Sequence, residues 1–238
     1  MPIVRRIATS FLFPAIALGT LLGSAAAQPK PGNLDIVLRQ MDEASTKFKS
    51  AQADFRRDLY ERVVKQTTTQ TGTIYFLRDG ALTQMGAKFF PPAAKTIEYR
   101  RGTLSIFDPT SNHLTLMSAG NKQAQYESFL TLGFGGSGRD LAKAWTISDL
   151  GAEQMSDGDK TVTTEKLDLF AKDPNARNMF THIVIWVDPQ RGISLKQQFF
   201  TPSEDQTTAV YTHIRYNEKV DTKPFAIKTD KNTSIDRR

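Results

Sequence analysis

The sequence predicts a mainly β protein of the α+β class, built on one large antiparallel sheet. Three observations predict it. Short runs rich in β-branched and aromatic residues recur along most of the 238 residues, turn-forming pairs separate them, and helical spacing is confined to one early stretch and one central insertion. Strands that follow one another through short turns pair antiparallel, because parallel neighbours need a long crossover.

The first 27 residues read as an export signal. Arg5 and Arg6 form its positive end, Phe11 to Leu22 its apolar stretch, and Ala25, Ala26 and Ala27 the small-residue cleavage site, which would leave Gln28 first. The protein is therefore expected to work outside the cytoplasm. The chain contains no cysteine, so neither a lipid-modified cysteine nor a disulfide is available. No later apolar run approaches the roughly 20 residues that a bilayer-spanning helix needs. One domain is expected over 28–238, with a flexible leader at 28–32 and a polar tail at 229–238.

Lys and Arg number 31 against 25 Asp and Glu, a formal charge of +6. The basic residues are scattered among acids and form no stripe with interleaved aromatics, which argues against a nucleic-acid partner.

Taken in order, Asn33 stands as an N-cap, after which Val37, Met41, Ala44 and Phe48 recur at helical spacing. The period then changes to two. Ala53, Phe55, Leu59 and Val63 alternate with Asp54, Arg56, Asp58 and Arg62, a half-buried strand. A second strand at 72–78 (Gly-Thr-Ile-Tyr-Phe-Leu-Arg) ends at the turn Asp79-Gly80, completing a hairpin. Strands follow at 95–100 and 103–107 around Arg101-Gly102, stopped by Asp108-Pro109, and another at 113–117. Helical spacing returns at 126–134 and 139–145, on either side of a glycine-rich break, Gly133-Phe-Gly-Gly-Ser-Gly138. The remainder reads as strands at 145–150, 162–169, 181–188, 194–201, 208–217 and 225–228. About ten or eleven strands result.

Enzyme signatures are nearly absent. His113, His182 and His213 lie on separate strands or loops, outside any metal-binding pair, so no metal site is expected. Gly135-Gly136-Ser137-Gly138 has the wrong spacing for a nucleophile elbow and lacks the Lys-Ser/Thr ending of a phosphate loop. Asp54 and Asp58 share a strand side but flank Arg56, which suits a solvated face better than acid–base chemistry. On 181–187 both strand faces are apolar: Ile183, Ile185 and Val187 on one, Val184 and Trp186 on the other. Such a strand is either the centre of a packed core or the wall of an apolar cavity.

Several ordered features resemble the periplasmic lipoprotein carrier family, the LolA-like proteins. After signal and amphipathic helix come Gly72-Thr-Ile-Tyr-Phe-Leu-Arg78, then Lys95-Thr-Ile-Glu-Tyr99, then Arg101-Gly-Thr-Leu-Ser-Ile-Phe-Asp-Pro109. The second half continues with Ile183 to Asp188, a turn at Gly192, Leu195 to Phe200, a polar turn through Asp205, Val210 to Asn217, and Lys223-Pro224-Phe225. The resemblance implies an incomplete antiparallel β-barrel covered by helices, with an apolar cavity for lipoprotein acyl chains. It also implies transport without covalent chemistry or cofactor, an inner-membrane exporter and an outer-membrane acceptor as partners. A monomer is expected. Strand alternation then nominates Phe55, Leu59, Ile74, Phe76, Leu104, Ile106, Ile183, Ile185, Leu195, Val210 and Ile214 as cavity positions. The lid candidates are Val37, Met41 and Phe48 on the first helix, and Phe129 and Phe134 beside the glycines. In the family an arginine ends the second strand, usually before proline; Arg78 holds that place here, followed by Asp79. It is either a lid tether or a strand-end charge. Two other functions stay open: a lipid- or lipoprotein-sensing module of an envelope-stress regulator, and an acyl or cell-wall hydrolase.

Overall fold

A computed structural model describes residues 34–80, 82–120, 129 and 132–238. The signal, the leader, Asn33 and most of the helix expected at 126–134 lie outside those residues. The described elements are α1 (Leu34–Lys47), β1 (Ser50–Glu61), β2 (Gln66–Asp79), β3 (Leu82–Phe89), β4 (Lys95–Arg100), β5 (Thr103–Asp108) and β6 (His113–Ser118). Then come α2 (Gly138–Ala144), β7 (Trp145–Asp157), β8 (Lys160–Ala171), α3 (Pro174–Met179), β9 (His182–Asp188), β10 (Ile193–Phe200), β11 (Gln206–Tyr216) and β12 (Ser234–Arg237).

All twelve strands belong to one open sheet, in the order β12-β6-β5-β4-β3-β2-β1-β11-β10-β9-β8-β7. Every pairing is antiparallel except β12 with β6. The sheet is therefore a meander whose first hairpin, β1–β2, sits in the middle. Arg101 and Gly102 both take positive φ (48° and 75°), as the two-residue hairpin between β4 and β5 demands.

Four local expectations change. β3 carries Gly86 and few β-branched residues, so its pattern is weak. It pairs beside β2 because Tyr75 lays its ring over Gly86, where a Cβ would lie 2.3 Å from the ring. Phe225 closes edge-on over Tyr75 (4.8 Å) from a short 3-10 helix, Lys223–Phe225; the strand expected at 225–228 is instead this anchor and the coil after it. The polar tail supplies β12, whose parallel partner β6 lies far away in sequence. Val63 lies in the β1–β2 turn, 85% exposed, since β1 ends at Glu61.

Helix α3, which the sequence did not announce as one, starts at Pro174. The carboxylate of Asp173 accepts the N–H groups of Asn175 (2.8 Å) and Ala176 (3.1 Å). Proline at the first turn lacks only an N–H that would have gone unpaired.

Two apolar clusters fill the inner face, the side on which the helices lie. One joins Phe55, Phe76, Met85, Tyr99 and Tyr211 from β1–β4 and β11 with Phe48 and Phe134. The other joins Leu167, Leu169, Ile183, Ile185 and Val187 from β8 and β9 with Val37 and Met41 of α1 and Leu141 of α2. Strand β9 is buried on both sides. On the outer side the Trp186 indole donates to Glu153 (2.7 Å) and lies under the ammonium groups of Lys166 and Lys196, 4.9 and 4.1 Å from the ring centre.

Beyond the short β9–β10 hairpin, the tip of β7–β8 reaches β11. Asp157 accepts the Ile214 N–H (2.9 Å), and Arg191 of the β9–β10 turn binds Asp157 (3.3 Å) and Asp188 (2.6 Å). Strand β7 itself is broken by a bulge at Leu150 and Gly151, the latter at φ 91°.

Candidate functional site

The inner face is covered by α1, by α2 and by residues 132–137 between the clusters. Helix α1 buries Val37, Met41 and Ala44, the face its spacing assigns. It packs tightly on α2, since a Cβ at Gly138 would strike the Leu38 backbone, and Arg139 pairs with Asp42 (3.3 Å).

The glycine-rich break is not helix at its described end. Leu132 and Gly133 form a turn, and Phe134 makes an isolated antiparallel bridge with Ile193. Phe134 is inserted into the first cluster, stacked on Phe76 (4.0 Å between centroids) and edge-on to Tyr211 (5.0 Å). Both flanking glycines hold positive φ, 74° at Gly133 and 75° at Gly135. A side chain at either would also collide, with Ser194 at the first and the Phe48 ring at the second. Glycine is thus required twice over at each position.

Arg78 meets this segment. Its Nη2 donates to the Gly135 carbonyl (2.7 Å), its guanidinium lies 5.7 Å from the centre of the Phe48 ring, and its own N–H donates to the Lys49 carbonyl (2.8 Å). The strand-end arginine is therefore joined to the covering segment in spite of Asp79 following it. A cleft of about 680 Å³ lies alongside, lined by Met41, Arg78, Leu132, Phe134, Leu141 and Trp145 among others.

Most nominated cavity positions face inward. Phe55 and Phe76 are buried in the first cluster, with Ile74, Leu104 and Ile214 half-buried against it; Ile183 and Ile185 are buried in the second. Leu59 and Ile106 share the inner register, half-buried toward the strand ends. Two positions are corrected. Val210 pairs with Arg56 on the outer face and lines a cleft there with Thr212 and His213. His213, at φ 53°, bulges β11 and turns Tyr211 and Ile214 inward together. Leu195 sits at the bulge between Ser194 and Lys196, which directs Ser194 and Gln197 to the inner face in its place. Of the lid candidates, Val37, Met41, Phe48 and Phe134 are buried, while Phe129 is half-buried and edge-on to Trp145 (5.5 Å).

The bulges bring in polar groups that alternation had placed elsewhere. Tyr211 donates to Gln197 Oε1 (3.0 Å), and the Gln197 amide donates to the Leu132 carbonyl. Burial pushes the Tyr211 phenol well above its ordinary pKa, with Arg57 pulling the other way, so it stays a donor. Ser137 caps α2, accepting from the Asp140 N–H (3.1 Å) and donating to its carboxylate (2.7 Å), a structural occupation for the serine weighed as a nucleophile. His213 pairs with Asp54 (3.1 Å) on the outer side of the sheet. Among the described residues, no group of three or more His, Asp or Glu is placed to hold a metal, and no helix is long and apolar enough to cross a membrane.

The open antiparallel sheet with helices over its inner face is the incomplete barrel that the sequence resemblance implies. The chain is similar to an uncharacterized conserved protein from Thermus thermophilus, at TM-score 0.53 and 10% identity over 87% of this chain and 100% of that one. It is also similar to MucB, at TM-score 0.52 and 13% identity over 84% of this chain and 65% of that one. The chain thus spans just under two thirds of that MucB chain. A LolA superfamily protein from Nitrosomonas europaea aligns at TM-score 0.39 and 13% identity, over 82% of this chain and 97% of that one, too low to bear on the argument. No protein-family model matches the chain, and no curated protein matches it. At these identities the likeness is one of fold alone.

Proposed function

We propose that this protein is a periplasmic carrier that takes up the acyl chains of lipoproteins, or of related amphiphiles, on its inner face and hands them toward the outer membrane. The observation that carries the reading is the Phe134 plug. A single aromatic ring fills an apolar socket from a segment pivoting on two positive-φ glycines, so the socket can be emptied without unfolding the sheet around it. Each acyl CH₂ that replaces the ring gains about 0.8 kcal/mol on leaving water. The carrier needs no cofactor and performs no covalent step. Its partners on this reading are an exporter that loads it and an acceptor that empties it, each favouring one state of the lid.

The test is uptake of a fluorescent fatty-acyl probe by delipidated protein. Saturable binding, displaced by an acylated peptide, supports the carrier; a protein that takes up no acyl ligand is not one. The likeness to MucB, a protein solved in complex with MucA, supports a second reading, a module that senses lipids and reports to a protein partner. Capture of a membrane regulator by the lipid-loaded form alone would favour that reading.

A further inference from the structure

The segment over the inner face is held by its backbone as well as by Phe134. The Gly133 carbonyl accepts the Ser194 N–H (2.6 Å), the Gly135 N–H donates to the Gly192 carbonyl (3.0 Å), and the carbonyls of Leu132 and Gly135 accept from the side chains of Gln197 and Arg78. Strand β10 has room for this because β11 pairs with it only from Lys196 to Phe200. Its first residues have a free side, and 132–135 occupies it as a one-bridge strand.

Moving that segment aside therefore empties an apolar socket and also strips four polar groups of their partners. A bare hydrocarbon chain would refill the socket and leave the polar groups unpaired in a buried place, the costly arrangement for any donor or acceptor. The closed state already leaves two such groups waiting. Ser194 is fully buried, its Oγ pressed against Gly133, and that oxygen has no hydrogen-bond partner among the described residues; neither does the buried Nε of Arg78. The site offers more hydrogen bonds than the segment uses.

We infer that Gly192 and the start of β10, as far as Gln197, form a main-chain-recognising subsite beside the acyl socket, which takes the peptide joined to the acyl chain as an added strand. This rests on the reading that the inner face takes an acyl chain. The chain replaces Phe134 on Phe76 and Tyr211. The attached peptide replaces 132–135 as an added strand, offering a carbonyl to the Ser194 N–H and an N–H to the Gly192 carbonyl, with Gln197 and Arg78 donating to further carbonyls.

Three probes with one hydrocarbon chain decide the matter on delipidated native protein: a palmitoyl tripeptide amide, methyl palmitate and palmitate, each displacing a fluorescent acyl probe. The expected result is that the acyl peptide binds about 10-fold or more tighter than the ester or the acid, the worth of one to two added hydrogen bonds. Gln197→Leu, read with the same three probes, should bring the ratio of acyl-peptide to ester affinity down toward one. Equal affinity of the native protein for all three would overturn the subsite while the acyl-carrier reading stands. Binding of none would overturn both, and the comparison among probes needs no variant to fold.

Discussion

The ring of Phe134 lies flat on that of Phe76, the centroids 4.0 Å apart and the planes 12° from parallel. A residue on a glycine-flanked connection thus packs as tightly as one within the sheet. Phe134→Ala is expected to lower the unfolding free energy by about 3 kcal/mol, at the low end for a buried phenylalanine because its segment can shift to fill the space. The same variant should take up an acyl probe more readily, since no ring has to be displaced. Denaturant titration and probe titration on one preparation check both; unchanged uptake would argue for an ordinary core residue.

Arg78 fastens the plug through one charge-assisted hydrogen bond. Arg78→Leu should speed amide exchange at Gly135 and Ser194 by about 10-fold or more, the worth of a hydrogen bond to a charged group. Arg78→Lys should fall between, because lysine keeps the charge but not the planar fork that reaches Gly135 while lying against Phe48. Exchange measured on both variants separates a tether from a strand-end charge.

A Cβ at Gly192 would lie 3.1 Å from that of Ala44, and the chain has no other cysteine to interfere. Ala44→Cys with Gly192→Cys can therefore tie α1 to the β9–β10 turn, at a cost of about 1 kcal/mol or more for a side chain at φ 64°. The oxidised protein should refuse the acyl probe and the reduced protein accept it. Equal uptake in both states would show that α1 is not part of the lid.

Arg191 stands between two buried carboxylates, Asp157 and Asp188. Removing it leaves both without their cation, so Arg191→Ala should destabilise the fold by about 3 kcal/mol or more. Adding Asp157→Asn should restore part of the loss, which a chemical denaturation series would read directly.

Burial raises the Glu165 carboxyl above its ordinary value, and the Asp149 carboxylate adds to the shift. The folded state then holds this proton to higher pH than the unfolded chain does, so the group's penalty is full above the raised pKa and gone below the ordinary value of 4.5. Glu165→Gln should melt higher than the native protein at neutral pH, with the difference vanishing as the pH falls below 4.5. A difference that persists in acid would point to altered packing rather than titration.

What could be read from the sequence was whatever depends on near neighbours. The two apolar faces of β9, the helical spacing of Val37, Met41 and Ala44, and the tight turn at Arg101-Gly102 all follow from short-range pattern, and the structure shows each. Among the nominated cavity positions strict alternation failed at two places, Ser194–Lys196 and His213, where an extra residue shifts the faces. Those two slips exchanged Val210 for Tyr211 and Leu195 for Ser194 and Gln197, so the polar half of the site stayed hidden. Phe225 reads locally as a strand residue because nothing near it announces Tyr75 as its partner. β12 was missed for the same reason, its parallel neighbour being set by the whole sheet.

The bulge in β7 matters beyond this molecule's own packing. A long terminal strand offers its unpaired amides and carbonyls as a template on which another chain can assemble. With Gly151 interrupting the ladder, Trp145–Asp149 and Ala152–Asp157 present two short margins out of step with each other. A stranger's strand in register with one is out of register with the other, which favours a sheet that stays open without recruiting copies of itself along its rim.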